Sequence, residues 1–554
     1  KSAAAVPQGR EITVRQSAPP WQIVCGDRRV PGAFLPVTMA GANNEFFYFI
    51  VVWCYGGPDG IEDIPNLYFG DELVVTGTTP IAKYTGFITV EHHLGTDAQT
   101  ASTLLTTDVP AAWTSTDRLR GHAYTVFKLK YDADKFSDFS IEGIRAQIKG
   151  RKVLDPRTGV TGYSTNPILQ ARDYASNARF GLGLPLTDFD DAGNNASANL
   201  CDELVSVKAG GTRARYATHA AFLTDQPPGR VLEEFRHSIA GEFPYVGGKW
   251  MLRAGAWRAP MVELTDSDLR GALEMTTALG RKELANGIKG QFTETTHWTT
   301  TGYPVVGPAD LLTEDGNVRL WDDVNYAFVT DAGQAQQLSL IYLRRRRSQK
   351  RLALPCKLLA HELVPGDTFM FTHAAFAGRE TWVNKTFVVE DAELALEGDG
   401  ETGMTMGVNL RAREETAEVY SWNPAVDEST FVALASPTLP SAGPSPFVAP
   451  NNDPTVRPTI QPGAFASSNP GIVSGMAALA GGGSVSTSGA WIVIATVDFE
   501  AAIGAASIAV FMTGANDGAG GACQLYTSGA NVGASIHTGG APATPQKTRT
   551  GTGT

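Results

Sequence analysis

Along the first 165 residues, short apolar runs alternate with turn clusters, at positions 14–24, 34–38, 46–55, 67–75, 87–90 and 124–131. Runs of this length, rich in β-branched and aromatic residues and bounded by Gly, Pro and Asx, predict an antiparallel β domain over residues 1–165. The longest, FFYFIVVWCY at 46–55, is about half of what a membrane-spanning helix needs. It is expected as a core strand, with no stable membrane insertion. From residue 166 to 260 the period becomes helical. Helices are predicted over 166–178, over 190–205 with Asp190 or Asp191 as cap, and over 227–240 capped by Asp225. In the third, Val231, Phe235 and Ile239 recur about every four residues and give one buried stripe. Residues 244–252 then read as two short strands around Gly247-Gly248, completing an α+β domain.

Strands return over residues 261–430 around one long helix. Asp331 caps that helix with Gln334 three residues on, and Ala335, Leu338, Ile341 and Tyr342 form its expected buried face. It ends in Arg344, Arg345, Arg346 and Arg347, and Lys350 and Arg351 follow. Prolines crowd residues 431–465, which predicts a stiff connector without a core. Residues 466–554 are rich in Gly, Ala, Ser and Thr, yet 491–499 and 505–513 alternate like strands, so a small β-sandwich is expected there. The fold class is therefore mainly β with an α+β insertion, in several domains.

Composition sharpens this picture. A chain of 554 residues is too long for one core, and 59 glycines with 32 prolines fit many turns. A net charge of −12 argues against a protein that coats nucleic acid and favours protein or glycan partners. Cys25, Cys54, Cys201, Cys356 and Cys523 stand singly without a C-x-x-C spacing and are expected as buried thiols. No signal-like start is seen, and with Lys1 in first place little weight attaches to that.

The standard catalytic constellations fail, so no cofactor, metal or catalytic residue is expected. His361-Glu362-Leu363-Val364-Pro365 opens like a zinc-protease helix but has Pro where the second His must stand. There is no G-x-S-x-G, P-loop or strand-following G-x-G-x-x-G, and Gly181-Leu182-Gly183 ends a helix instead of opening one. His92 and His93, adjacent on a strand, point to opposite faces and suit structural roles. The pairs Asp190-Asp191 and Asp322-Asp323 are the candidates for glycan cleavage, which needs two carboxyls at a set separation. Arg344 to Arg347 with Lys350 and Arg351 either line a passage for DNA or an acidic partner, or complement the helix dipole. Four consecutive helical positions point in every direction, which favours the second reading.

Residues 148–185 join the first two segments as strand, turn, helix and loop. Asp155-Pro156-Arg157-Thr158-Gly159 makes the turn, and Ser164 or Thr165 is expected to cap a helix with Pro167 in its first turn. The pattern K-x-x-D-P-x-T-G, Y-S-x-N-P, R-D-Y and R-F-G-L-G in this stretch resembles the central hub, or tail-tip host-specificity protein (lambda J type), of long-tailed bacteriophages. So do R-Q-x-x-x-P-W-x-I-V-x-G from Arg15 to Gly26, Tyr68-Phe69-Gly70-Asp71-Glu72, W-T-x-x-x-R-L-R-G from Trp113 to Gly121, and Lys128-Leu129-Lys130-Tyr131. The P-G-D turn at Pro365-Gly366-Asp367 and Val419-Tyr420-Ser421-Trp422-Asn423-Pro424-Ala425 are similar to that family as well. Across about Gln8 to Ala425 the resemblance implies a homotrimer of tail-tube-like β-barrels with an inserted α/β part, at the distal tip of the virion tail. It implies contacts with the distal tail protein, other tail-tip proteins and the tape measure, a central fibre reaching a host cell-surface receptor, and phage DNA only in passage. Two other classes stay open on the residues alone: a virion-associated glycan or peptidoglycan hydrolase, and a secreted bacterial adhesin with a Pro-rich stalk.

Overall fold

The computed structural model describes residues 20–132, 135–136, 143–374, 382–397 and 405–433, and the backbone of four strands between residues 507 and 552. The chain divides into two units, Lys1–Thr438 and Leu439–Thr554.

The first unit opens with β1 (Gln22–Cys25), β2 (Asp27–Pro31), β3 (Ala33–Ala40), β4 (Phe46–Tyr55), β5 (Ile61–Phe69), β6 (Glu72–Thr76), β7 (Thr79–Pro80) and β8 (Ile88–Leu94). A short helix α1 (Thr103–Asp108) precedes β9 (His122–Lys130), β10 (Ile144–Asp155) and β11 (Val160–Tyr163). β3, β4, β9 and β8 form one antiparallel sheet in that order, and β11, β10, β5, β6 and β7 form another, in which β2 also pairs with β10. A single buried cluster takes Phe49, Val51 and Trp53 from β4, Phe127 from β9, Ile61, Ile64 and Leu67 from β5, and Ala146 and Ile148 from β10. The two sheets therefore face each other across one core. Tyr48, Ile50, Tyr124 and Val126 point to the opposite face of the four-stranded sheet, where Leu105 of α1, Val109 and Trp113 cover them. Burial on both faces is why residues 46–55 are apolar without alternation. Closure into the barrel that the resemblance implied requires the last strand to pair with the first. Among the described residues no sheet does so, and the arrangement is one of packed open sheets with β3 and β8 at the edges of the smaller one.

The helical part comprises α2 (Pro167–Ser176), α3 (Asp191–Asp202), α4 (Pro228–His237), α5 (Ala309–Glu314) and α6 (Ala332–Arg347). Two caps differ from expectation for one reason. The residue before a proline is pushed into extended conformation and so becomes the N-cap of a helix that the proline opens. Asn166, not Ser164 or Thr165, caps α2, accepting from the amides of Ile168 and Leu169. Pro227, not Asp225, stands at the N-cap of α4. α3 stops at Asp202, short of 205, because Leu204–Ser206 leaves it to pair with Thr212–Ala214. The hairpin Tyr245–Val246 with Lys249–Trp250 forms where expected. Gly247 and Gly248 turn it at φ 60° and 79°, the left-handed pair that a two-residue hairpin demands.

Helices α2, α4 and α6 share one core, to which Ile168, Tyr174, Val231, Phe235, Phe328 and Leu338 contribute, together with Ile23 and Val153 from the β region. A third sheet runs in the order Glu263–Thr265, Thr368–His373, Trp382–Glu397, Thr405–Glu414, Arg351–Lys357, Glu274–Thr276. Its own core holds Leu354, Phe369, Phe371, Phe387 and Leu410. In the second unit Ser507–Phe511, Gly521–Ser528, Asn531–Thr538 and Thr548–Thr552 make one antiparallel sheet. The first of these strands falls within the expected 505–513. The expected strand at 491–499, the proline-rich connector from residue 434 onward and the motif residues before Pro20 lie outside the described residues. Among the described residues no helix is long and apolar enough to cross a membrane.

Candidate functional site: polar joints and an arginine clamp

The turn and helix on which the resemblance rests form a polar joint. Arg157 lies 2.8 Å from a carboxylate oxygen of Asp155, in its own turn, and 2.8 Å from one of Asp202, at the end of α3. Hydrogen bonds to both acids hold its guanidinium charged. Asn166, 3% exposed, caps α2 with its oxygen and donates its amide to Ala198 O and to Asp202 Oδ1, both at 2.9 Å. Arg151 of β10 donates to Gly56 O at 2.7 Å, meets Asp173 of α2 at 3.4 Å and lies 4.6 Å above the Phe180 ring. Burial pushes the Asp173 carboxyl up, and Arg151 opposes that shift. Gly181 follows, pressed so close to α2 that a Cβ there would stand 1.6 Å from Tyr174 O. Only glycine fits that approach.

α6 is the second joint. Asp331 caps it as expected, accepting from the amide of Gln334 at 2.6 Å. Ala335, Leu338 and Ile341 are buried, while Tyr342 is half-buried and donates its hydroxyl to Asp322. Three glutamines are each 1% exposed: Gln334, read from the sequence only as the partner of the Asp331 cap, and Gln336 and Gln337, which sequence reasoning missed. Gln334 binds the backbone of Ala217 in both directions and donates to Ser238 O. Gln336 binds Ser429 N and O, and Gln337 accepts from Arg213 at 2.7 Å. The sequence signal of Gln336 and Gln337 was polar residues at positions between apolar ones, which reads as a solvent face.

The arginine run is not brought to one surface. Arg344 donates to Glu418 O at 2.8 Å, and Arg345 donates to the Tyr420 hydroxyl at 3.0 Å with its guanidinium over that ring. Arg346 meets Asp322 at 3.0 Å, and Arg347 meets Asp315 at 3.0 Å and Glu314 at 2.7 Å. Each cation thus reaches a different neighbour, and the end of α6 is clamped to residues 314–322 and 418–421. Lys350 lies 5.7 Å from the Trp382 ring, and Arg351 starts the next strand with its side chain exposed.

The remaining candidates serve structure as well. His92 is bonded to Thr125 and Gly77 O. His93 lies on Tyr124 and reaches Glu91 at 3.1 Å. His361 sits in a 3-10 turn, bonded to Leu358 O. Cys25, Cys54, Cys201 and Cys356 are buried, and burial pushes the first, second and fourth thiols up to about 12. The side chain of Cys523 lies outside the described residues. Asp190, at the N-cap of α3, and Asp367 do line one cleft of about 290 Å³ with Arg253, Trp257 and Arg258. Asp367 accepts from Arg253 at 2.5 Å through one oxygen and from the Val364 amide at 3.0 Å through the other. A carboxylate so paired is the opposite of the isolated, poorly solvated acid that glycan cleavage requires. The Asp322-Asp323 pair is divided, Asp322 facing Tyr342 and Arg346, and Asp323 lying 3.6 Å from Lys289.

No protein-family model matches the sequence. No curated protein matches it either. Among solved structures, a chain in the virion of a native gene transfer agent particle is similar over 75% of this chain and 90% of that one, at 14% identity and a TM-score of 0.49. The prophage tail protein gp18 from Listeria monocytogenes EGD-e is similar over 72% of this chain and 97% of that one, at 10% identity and a TM-score of 0.24.

Proposed function

We propose that this chain is a structural protein of a phage-like virion, without enzymatic activity, and in particular the trimeric hub that closes the distal end of a tail tube. The observation that carries the reading is the use made of the motif residues. Asp155, Asn166, Asp173 and Gly181, which bear the resemblance to tail hubs, hold strands and helices together, the first through Arg157, instead of converging on a substrate. A hub that bears load needs such joints. The domains are proposed as residues 1–165, 166–260 and 261–430 for the hub, 431–465 for the connector and 466–554 for a small β domain of the central fibre.

In this reading the β domains associate around a threefold axis, the distal tail protein and the tape measure dock on the hub, and DNA passes only when it opens. Receptor contact at the fibre favours the open state, since equal affinity for both states would move nothing. Mass photometry of the full chain tests the assembly. A particle of three times the 58.9 kDa chain mass is expected, and a stable monomer at micromolar concentration overturns it.

A further inference from the structure

We infer that Asn286-Gly287 is a deamidation site that the fold keeps shut, and that its conversion prevents the surrounding segment from closing again. It is the one Asn-Gly step in the sequence. Glycine stands second because the backbone of Gly287–Lys289, paired with Trp321–Asp323, leaves no room for a side chain there. A Cβ on Gly287 would lie 2.8 Å from two ring carbons of Trp321. The same missing Cβ leaves the Gly287 nitrogen unhindered for attack on the side chain before it. In the folded chain Asn286 is 0% exposed. Its amide donates to Asp315 Oδ2 at 2.7 Å and to Val318 O at 2.8 Å, and accepts from the Leu320 amide at 2.8 Å. The Gly287 N–H donates to Leu320 O at 3.2 Å. Asp315 is itself held by Arg347 at 3.0 Å, so the clamp at the end of α6 also keeps residues 315–320 against Asn286.

The reaction needs these contacts released and water admitted. The Gly287 nitrogen bonds to Asn286 Cγ, the Cγ–Nδ2 bond breaks, and the Gly287 proton leaves with Nδ2 as ammonia, which closes a cyclic imide. Water then opens the ring, its hydroxyl going to one carbonyl carbon and its hydrogen to the nitrogen. Opening at Cγ leaves an aspartate in an ordinary backbone. Opening at the main-chain carbonyl leaves isoaspartate, with one extra carbon in the chain. No electron is transferred. Neither product fits the closed site. The aspartate loses both donors and sets a carboxylate against Asp315 and Val318 O. The isoaspartate shifts residues 287–289 out of register with residues 321–323. A segment that opens long enough to react is thereby marked and held open.

Peptide mapping by mass spectrometry tests this on the full chain, incubated in mildly alkaline buffer with and without urea above the unfolding transition. The native rate equals the unfolded rate multiplied by the fraction of molecules open at Asn286. Conversion should therefore be at least about a hundredfold slower in the native chain, the protection of a segment open in fewer than about one molecule in a hundred. Arg347→Met, which frees Asp315 without touching the reacting atoms, should raise the native rate about tenfold and leave the rate in urea unchanged. Asn286→Asp installs the first product directly. It should lower the melting temperature relative to wild type, and by more at pH 7 than at pH 4, where the new carboxyl can take up a proton. Should that variant not fold, converted wild-type chain, separated by its added negative charge after removal of urea, is compared with unconverted chain from the same sample. Similar conversion rates in native and unfolded chains, or an unchanged native rate in Arg347→Met, overturn the guarding role. A melting temperature equal to that of wild type at pH 7, in Asn286→Asp or in the converted chain, overturns the block on closure.

Discussion

Glu91 offers the most direct check on how polar groups hold this fold. Its carboxylate accepts from Ser102 Oγ at 2.6 Å, from the amides of Thr103 and Leu104 at 3.0 and 2.8 Å, and from His93 at 3.1 Å. It thus fastens the first turn of α1 to β8. Burial alone would push this carboxyl up, but the hydrogen bonds from His93, Ser102, Leu104 and Thr103 outweigh it and hold it at about 2, against an ordinary 4.5. At about 1.4 kcal/mol per tenfold change in proton affinity, that gap is ~3 kcal/mol, and screening of a side chain 26% exposed reduces it to ~2 kcal/mol. Because the folded value lies below the unfolded one, the stabilisation is complete above pH 4.5 and is lost as pH falls through about 2. Amide hydrogen exchange at Thr106 and Val109, both bonded within α1, reads the local opening of the helix. Glu91→Gln should reduce protection there roughly thirtyfold at pH 6, and only about fourfold at pH 3, where the wild-type group has lost most of its advantage. A variant effect of equal size at both pH values, or one that grows in acid, would refute the assignment of the stabilisation to the ionised carboxylate.

Two further expectations concern the joints. Asn166→Ala removes a cap and two buried donor contacts and should destabilise the first unit by ~3 kcal/mol in urea denaturation. Asn166→Asp keeps the cap but sets a second carboxylate against Asp202, so its loss should be larger at pH 7 than at pH 4, and equal losses would contradict the donor role of the amide. Tyr420→Phe deletes one oxygen and leaves Arg345 without that acceptor, an expected loss of ~2 kcal/mol, whereas Arg351→Ala should change the urea midpoint by less than ~0.5 kcal/mol. Equal midpoints for the two variants would undo the distinction between clamped and exposed members of the run.

Much of the secondary structure was legible because local rules decide it. The strand at 46–55, the glycine hairpin at 247–248 and the Asp331 cap of α6 all follow from a few neighbouring residues. The caps of α2 and α4 needed one rule applied more strictly, that a proline opening a helix makes its predecessor the cap. What remained hidden was tertiary. Periodicity assigns a helix one buried stripe, but α6 is buried from Gly333 to Ile341, glutamines included. Nothing within α6 announces the backbone groups of Ala217, Ser238 and Ser429 that those amides satisfy. The arginine run was ambiguous for the same reason. Its partners Asp315, Asp322, Glu418 and Tyr420 come from segments whose approach is set by the fold and not by neighbouring sequence.

The two clefts show that pairing already made within the fold, and not cavity size, decides what a lining side chain can offer a ligand. They are of nearly equal volume, about 290 and 260 Å³. In the first, Asp367 is paired with Arg253 at 2.5 Å, and an incoming anion or cation would have to break that pair. Removing one partner of such a buried pair exposes an uncompensated charge at a cost of roughly 3–5 kcal/mol, more than one new contact returns. In the second, which Arg28 and Arg29 help to line beside β2, Arg29 is held by Asp71 at 3.0 Å, and an incoming anion would compete with that pair in the same way.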